Sequence, residues 1–382
     1  MVKLLFLYVD KHIQAINSCS RIIFKGDGSD VVVNGERGLS WKIAAAFIGA
    51  VVGAGFASGQ ELGQFFLGYG LAGSYGIIGS GLLFAIWGAV ICELSYRCRL
   101  TDYSDYLRYL LGRRGALCID LLISLYLFCT VFIMLSAGNA LFTEHLGLRT
   151  GCGGLLTGIA TLAVLWGGLE SLVSFNVFLV PLKFLVCLAV FLLTRSLNGL
   201  AFPPGTVQIS PMAPIFPHWI GATLFYAGFN MLGAMVVLVP LGRRGLARQR
   251  LAGNLLGGMG LAVFALLIIQ ILLPFRGQVA NWEVPVLVVA GLVHPSLQWV
   301  YFVVLWAAII STAVVSCYGV ATRLRWCLSY RLALALILGI SLFFARLQFS
   351  SLVRLVYPLF GGVGVLLLMV QGIRAMAHGL GR

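Results

Sequence analysis

The sequence predicts an all-α membrane protein with ten transmembrane helices, arranged as two repeats of five helices in opposite orientations. Three observations lead to this prediction. Hydrophobic residues make up 60% of the 382 residues and charged residues only 10%, a composition that excludes an ordinary soluble domain. Apolar stretches long enough to cross a bilayer recur along the chain. The first apolar segment of each half is interrupted by glycine and polar residues, as expected for inverted repeats with broken helices.

The ten predicted segments follow one another with short connections. They cover residues 41–67, 75–97, 116–142, 152–169, 172–194, 217–241, 252–274, 296–321, 331–346 and 351–373. Segments 4 and 5 are separated only by the short sequence Gly168-Leu169-Glu170, and segment 9 is short. This division predicts a cytoplasmic N-terminal tail (1–40), a membrane domain (41–375) with repeats at 41–195 and 217–375, and a cytoplasmic C-terminal tail (376–382).

Membrane topology explains why the chain has more basic than acidic residues. The net charge of +14 could by itself suggest a nucleic-acid partner. If the N-terminus is cytoplasmic, however, most of the 26 Lys and Arg residues fall on the cytoplasmic side, and those outside are Arg149, Arg195, Arg276, Arg346 and Arg354. This positive-inside distribution predicts a multi-pass protein of the plasma or inner membrane, with both termini cytoplasmic. Its expected partners are the lipid bilayer and a small-molecule solute, without nucleic acid, and no pattern indicates an oligomeric state.

Motifs for catalysis and cofactor binding do not occur in the sequence. None of the nine Cys residues forms a CxxC pair, and the five His residues share no metal-ligand spacing. A nucleophile elbow, a Walker loop and a dinucleotide fingerprint are also missing. We therefore expect a protein that is not an enzyme and that carries no cofactor beyond a sodium ion or proton as coupling ion.

Residues 52–61, VGAGFASGQE, interrupt the first apolar segment. Glycine weakens a helix, and an acidic residue inside a span costs about 2.5–3.5 kcal/mol. The run therefore predicts a broken helix that lines a cavity within the protein. A break at mid-membrane indicates a binding site and favours transport. Glu61 could pair with a cation, carry a proton or cap the unwound segment.

Backbone chemistry suggests what this break could bind. The amides of Ala54, Gly55 and Phe56 would be exposed at a half-helix N-terminus and suit a carboxylate. The carbonyls of Gly49 and Val52 would lose their helical partners and suit a small cation.

The sixth segment carries a second predicted interruption, at Gly228 and Asn230. Tyr226 and Phe229 could shape a pocket around a side chain, with Asn230 adding a hydrogen bond; alternatively, the two rings only pack. Close helix packing is an alternative role for the glycines, and it is more reasonable for Gly233 than for Gly228.

Adjacent hydroxyls at Ser311 and Thr312 in segment 8 form another polar cluster. An isolated Ser or Thr in a membrane helix usually bonds its own backbone four residues back. Two adjacent hydroxyls are better candidates for cation ligands, because a hard cation prefers oxygen.

The string Gly53-Ala54-Gly55-Phe56-Ala57-Ser58-Gly59-Gln60-Glu61 resembles the opening span of the YkvI-type membrane proteins, which belong to the amino acid–polyamine–organocation (APC) superfamily. The resemblance implies the LeuT fold with discontinuous helices 1 and 6. It also implies a cation site between segments 1 and 8, formed by Gly49, Val52, Ala308, Ser311 and Thr312. The substrate site would include Ala54, Gly55, Tyr226, Phe229 and Tyr126.

Lys183 disagrees with a simple sodium site, because an unpaired ammonium inside segment 5 is expensive and indicates function. In similar sodium-independent relatives, such as ApcT-type permeases, a lysine of this segment looks like a replacement for the sodium ion. Ser311 and Thr312 would then bind the ammonium. The alternative is a lysine that extends to the membrane interface.

Together these features predict a secondary transporter of a small amino-acid-like solute that works by alternating access and is coupled to protons or sodium. The resemblance to the LeuT fold implies that segments 1, 2, 6 and 7 would move against segments 3, 4, 8 and 9. A nutrient sensor on the same fold that does not transport, as in spore germinant receptors, is the alternative. The candidate substrate site comprises Gly53, Ala54, Gly55, Phe56, Tyr126, Tyr226, Phe229 and Asn230. The candidate cation site comprises Gly49, Val52, Ala308, Ser311, Thr312 and Lys183, and Glu61 is a candidate proton or gating residue.

Overall fold

A computed structural model describes residues 38–167, 170–196, 214–324 and 328–380, in which helices are the regular secondary structure. Apart from residues 38–40, the predicted N-terminal tail lies outside the described residues. The helices are α1 (Leu39–Val51), α2 (Ala54–Ser58), α3 (Gln60–Phe66), α4 (Leu71–Arg97), α5 (Tyr103–Leu146), α6 (Cys152–Gly167), α7 (Glu170–Ser196), α8 (Trp219–Gly242), α9 (Ala247–Leu272), α10 (Arg276–Val279), α11 (Pro285–Val293), α12 (Pro295–Leu324), α13 (Tyr330–Phe344) and α14 (Phe349–Leu380). Short 3₁₀ turns precede α4 and α10.

Among the described helices, seven are long and apolar enough to cross a membrane, and α1, α6 and α13 are shorter apolar helices. Each predicted segment overlaps one of them, which confirms a polytopic helical membrane protein. The first segment consists of α1, α2 and α3. The last runs to Leu380, beyond the predicted start of the C-terminal tail.

The helix that contains the third predicted segment begins before that segment. Helix α5 begins at Tyr103, where the Asp102 side chain accepts a hydrogen bond from the Asp105 amide at 2.9 Å. The helix bends at Gly112, whose φ of 70° suits glycine. Leu107 and Leu110 are buried, but the charged residues around them, Asp105, Arg108, Arg113 and Arg114, interrupt the apolar run at the start of the helix.

Helix α11 is absent from the sequence prediction. Its nine residues are too few to span a bilayer, which is why the apolar run gave no segment. Pro285 occupies the first turn, where its missing N–H costs nothing. Val286, Leu287 and Val289 are fully buried, so α11 packs inside the bundle beside α12.

The long helices pack in two groups. Helix α4 lies along α8 and α9, and α1 packs on α9 and α8. In the second group, α5 packs on α12, α6 and α13. Between them lies α2, which contacts α12, α11 and α5. The broken first segment therefore joins two groups that otherwise pack mainly within themselves.

The predicted break in the sixth segment is wrong, because α8 is continuous from Trp219 to Gly242. The Asn230 side chain donates to the Tyr226 carbonyl at 3.0 Å within the helix, which satisfies its polar group locally. Gly228 serves packing instead: a Cβ there would meet the Val365 amide of α14 at 3.0 Å, as well as the Gly361 carbonyl. Gly233, for which close packing was the more reasonable role, has no such contact, since a Cβ there would meet no atom closer than 4.0 Å.

We expect Gly228→Ala to lower the free energy of unfolding by about 1–3 kcal/mol, because the added methyl group meets backbone atoms of α14 that have no room to move. Thermal melting in detergent measures the change. Gly339→Ala on α13 is the matched control, since a Cβ there has open space. An unchanged melting temperature for Gly228→Ala would contradict the close packing of α8 on α14.

Candidate functional site

The first segment unwinds between α1 and α2, where the sequence predicted a break. Val52 has φ −76° and ψ 76°, and Gly53 is extended. The Gly53 amide donates to the Val51 carbonyl at 2.8 Å, which takes it away from the Gly49 carbonyl that a continuous helix would supply. Carbonyl oxygens are thereby freed inside the bundle.

Lys183 of α7 satisfies one of these oxygens. Its side chain is buried, with 5% relative exposure, and Nζ donates to the Val52 carbonyl at 2.7 Å. The ammonium therefore lies at the helix break, inside the bundle. This position contradicts the alternative of a lysine that extends to the membrane surface.

A cavity of about 330 Å³ extends from the break to the bundle end where α5 begins and α12 ends. We call it the vestibule. At the break it is lined by Gly49, Val52, Gly53, Lys183, Ser311 and Thr312, and at the far end by Asp102, Tyr103, Thr322 and Arg323. Ala308 is not among its lining residues; its carbonyl accepts a hydrogen bond from the Thr312 hydroxyl at 3.0 Å. The Thr312 oxygen lies beside Gly53, 3.7 Å from where a Cβ would be.

The other end of α2 is held by a second hydrogen bond from the neighbouring helices. Tyr301 of α12 donates to the Ala57 carbonyl at 2.6 Å, and its hydroxyl lies 3.1 Å from Cys187 Sγ. Cys187 is one helical turn beyond Lys183 on α7. Side chains of α7 and α12 therefore bind the backbone just before the five-residue helix, at Val52, and near its end, at Ala57.

Beyond the break lies a smaller cavity of about 80 Å³, which we call the inner pocket. Its lining includes Gly53, Ala54, Gly55, Glu61, Tyr126, Phe229, Asn230 and Tyr357. Glu61 has 5% relative exposure, and its carboxyl group lies directly against Gly55, where an added Cβ would collide with it. The Tyr357 hydroxyl hydrogen bonds to that carboxyl group.

The sequence comparisons identify two relatives in Bacillus subtilis (strain 168). The membrane protein YkvI is 27% identical over 340 residues, which cover 86% of this chain and 94% of YkvI. YyaD is 25% identical over 343 residues, covering 87% of this chain and 96% of YyaD. The chain is a relative of the YkvI-type membrane proteins. No family model matches the sequence.

Solved structures share the fold at low sequence identity, and the three compared are LeuT-fold transporters. Mhp1 in its inward-facing conformation has a TM-score of 0.62 at 15% identity, with 85% of this chain and 73% of Mhp1 covered. A Na⁺-coupled sialic acid symporter has a TM-score of 0.59 at 13% identity, with 96% and 85% covered. MhsT in complex with L-phenylalanine has a TM-score of 0.58 at 18% identity, with 89% of each chain covered.

Most of the predicted site residues of this YkvI relative come together at the break, but three of them, Ala308, Phe56 and Tyr226, line neither cavity. Phe56 is fully buried against Phe264, with ring centroids 5.2 Å apart. Tyr226 is enclosed by Phe65 and Phe66 and forms a packing cluster, as the alternative reading of that ring expected. Sequence reasoning missed Tyr357 and Tyr301, since single tyrosines in apolar segments carry no signal of their position.

We expect Tyr301→Phe to lower the free energy of unfolding by about 1–3 kcal/mol, because the buried Ala57 carbonyl loses its donor. Thermal melting measures the loss, and hydrogen–deuterium exchange should quicken at residues 54–58. Tyr75→Phe on the exposed face of α4 should change neither quantity. If exchange at residues 54–58 stays at the wild-type rate, Tyr301 does not hold α2.

Proposed function

We propose that the chain is a secondary transporter that moves a small amino-acid-like solute by alternating access. The fold neighbours are transporters of small solutes, and the break in the first segment supplies a polar site inside an apolar bundle. In this proposal the ten membrane helices form two inverted repeats of five. The first repeat runs from α1 through α7 and the second from α8 through α14.

The observation that carries the proposal is the 2.7 Å hydrogen bond from Lys183 Nζ to the Val52 carbonyl. A buried ammonium on a freed carbonyl, with two hydroxyl side chains along the same cavity wall, has the oxygen surroundings that suit a bound cation. We propose that Lys183 takes the place of a coupling sodium ion. Gain and loss of its proton would then couple transport to the proton gradient.

The packing supports a division into moving parts. Helices α1, α4, α8 and α9 pack on one another, as do α5, α6, α12 and α13. These groups correspond to predicted segments 1, 2, 6 and 7 and segments 3, 4, 8 and 9. We propose that one group moves against the other about the unwound residues, because α2 contacts the second group while α1 belongs to the first.

The vestibule fits the inward-facing state of such a cycle. Its far end lies at Asp102 and Arg323, where the positive-inside distribution places the cytoplasm. We propose that both termini are cytoplasmic and that the vestibule is the route between the inner pocket and the cytoplasm.

With the chain in proteoliposomes, an inward proton gradient should drive accumulation of radiolabelled proteinogenic amino acids, and replacing sodium by choline should leave it unchanged. Lys183→Ala should reduce gradient-driven accumulation to the level of vesicles without a gradient, because no group at the break would carry the proton.

Lys42→Ala is the matched control, since Lys42 is exposed on α1 away from both cavities, and should keep wild-type uptake. Strong sodium dependence of the wild type would overturn the role of Lys183 and favour Ser311 and Thr312 as ion ligands. Saturable binding without accumulation under any gradient would overturn transport itself.

The proposed topology predicts which native cysteines an impermeant maleimide reaches. Cys152, exposed at the start of α6, should react in intact cells, whereas Cys98, just after α4, should react only after permeabilisation. Cys152→Ser should remove the external labelling. Labelling of Cys98 from outside would place the termini on the opposite side.

A further inference from the structure

The inner pocket holds a buried acid without a basic partner. Glu61 lines it, and no Lys, Arg or His lies among its described lining residues. Oε2 of Glu61 has no hydrogen-bond partner, although the Tyr357 hydroxyl bonds to the carboxyl group. Burying a carboxylate costs several kcal/mol unless a cation or further hydrogen bonds compensate. A positive group placed in the pocket would supply that compensation.

The same geometry disfavours a carboxylate ligand. The Glu61 carboxyl group lies against Gly55, where the sequence placed the carboxylate of the solute. A second carboxylate there would meet a like charge at short range. Helix α2 has only five residues, so its dipole is too small to compensate.

Other groups of the pocket suit a cation. Tyr126 and Tyr357 both lie close enough to interact electrostatically with Glu61. The rings of Phe229 and Tyr357 stack at 4.7 Å between centroids, and both line the pocket. Aromatic faces attract organic ammonium groups. A carboxylate beside aromatic rings is thus the complement of an amine.

We infer that Glu61 is the anchor for a protonated amine, so that the transported solute is a small organic ammonium compound and its amine, rather than a carboxylate, is the recognised group. This inference rests on the proposed function. The pocket volume of about 80 Å³ fits a compact ammonium headgroup. Ala50, Gly53 and Thr312 line both cavities, so the remainder of the solute would extend into the vestibule.

Two probes of similar size separate the amine from the carboxylate: alaninamide has only the ammonium group, and N-acetylalanine has only the carboxylate. Binding to the purified full chain is measured by thermal shift and calorimetry. Alaninamide should raise the melting temperature, because it binds the folded state, and N-acetylalanine should not. Glu61→Gln, which keeps the side-chain shape, should weaken alaninamide binding at least tenfold, and Tyr357→Phe should weaken it less.

Asp105→Asn removes a negative charge at the start of α5, far from the inner pocket, and should bind alaninamide like the wild type. A folded Glu61→Gln protein with unchanged alaninamide affinity would overturn the inference. So would binding of N-acetylalanine alone, binding of neither probe, or stabilisation by sodium ions alone that Glu61→Gln abolishes.

Uptake of radiolabelled alaninamide into proteoliposomes separates this inference from the proposed function. Binding that depends on Glu61 without accumulation would leave the amine site intact and overturn transport. Accumulation of amino acids that Glu61→Gln does not alter would leave transport intact and overturn the amine anchor.

Discussion

The hydrogen bond between the Lys183 ammonium and the Val52 carbonyl is the contact on which the rest of the site depends. A helix that unwinds inside an apolar bundle frees backbone groups that lipid cannot satisfy. Here the donor comes from another helix, so the break is stable only while α7 stays beside α1. In our proposal, the Lys183 ammonium that stabilises the unwound backbone also responds to the proton gradient across the membrane.

The two membrane-embedded charges face different cavities on either side of a short stretch of backbone. Lys183 lies in the vestibule, and Glu61 lies in the inner pocket against Gly55. Between them runs the unwound chain that leads into α2, whose far end is bound by Tyr301. In our proposals, a solute at Glu61 and a proton at Lys183 act on this one segment, which gives coupling a direct physical route.

Predictions from sequence succeeded where a local signal had one physical meaning. Glycine followed by small residues and an acid in an apolar run led to the break at Val52, and an isolated lysine in a span led to Lys183. The predictions failed where a residue type is compatible with two different roles. Gly228 can unwind a helix or allow close approach, and only the neighbouring α14 decides between them. Tyr226 likewise could line a pocket or pack, and it packs.

By itself, the sequence determined the class of protein, the break in the first apolar segment and the presence of two ionisable residues, Glu61 and Lys183, inside apolar segments. These follow from composition and local chemistry, which need no partner. Only the tertiary structure decided that α8 is continuous, that Lys183 reaches the Val52 carbonyl, and that Glu61 occupies the space above Gly55. Those outcomes depend on helices distant in sequence, because a buried polar group takes the partner that packing brings to it.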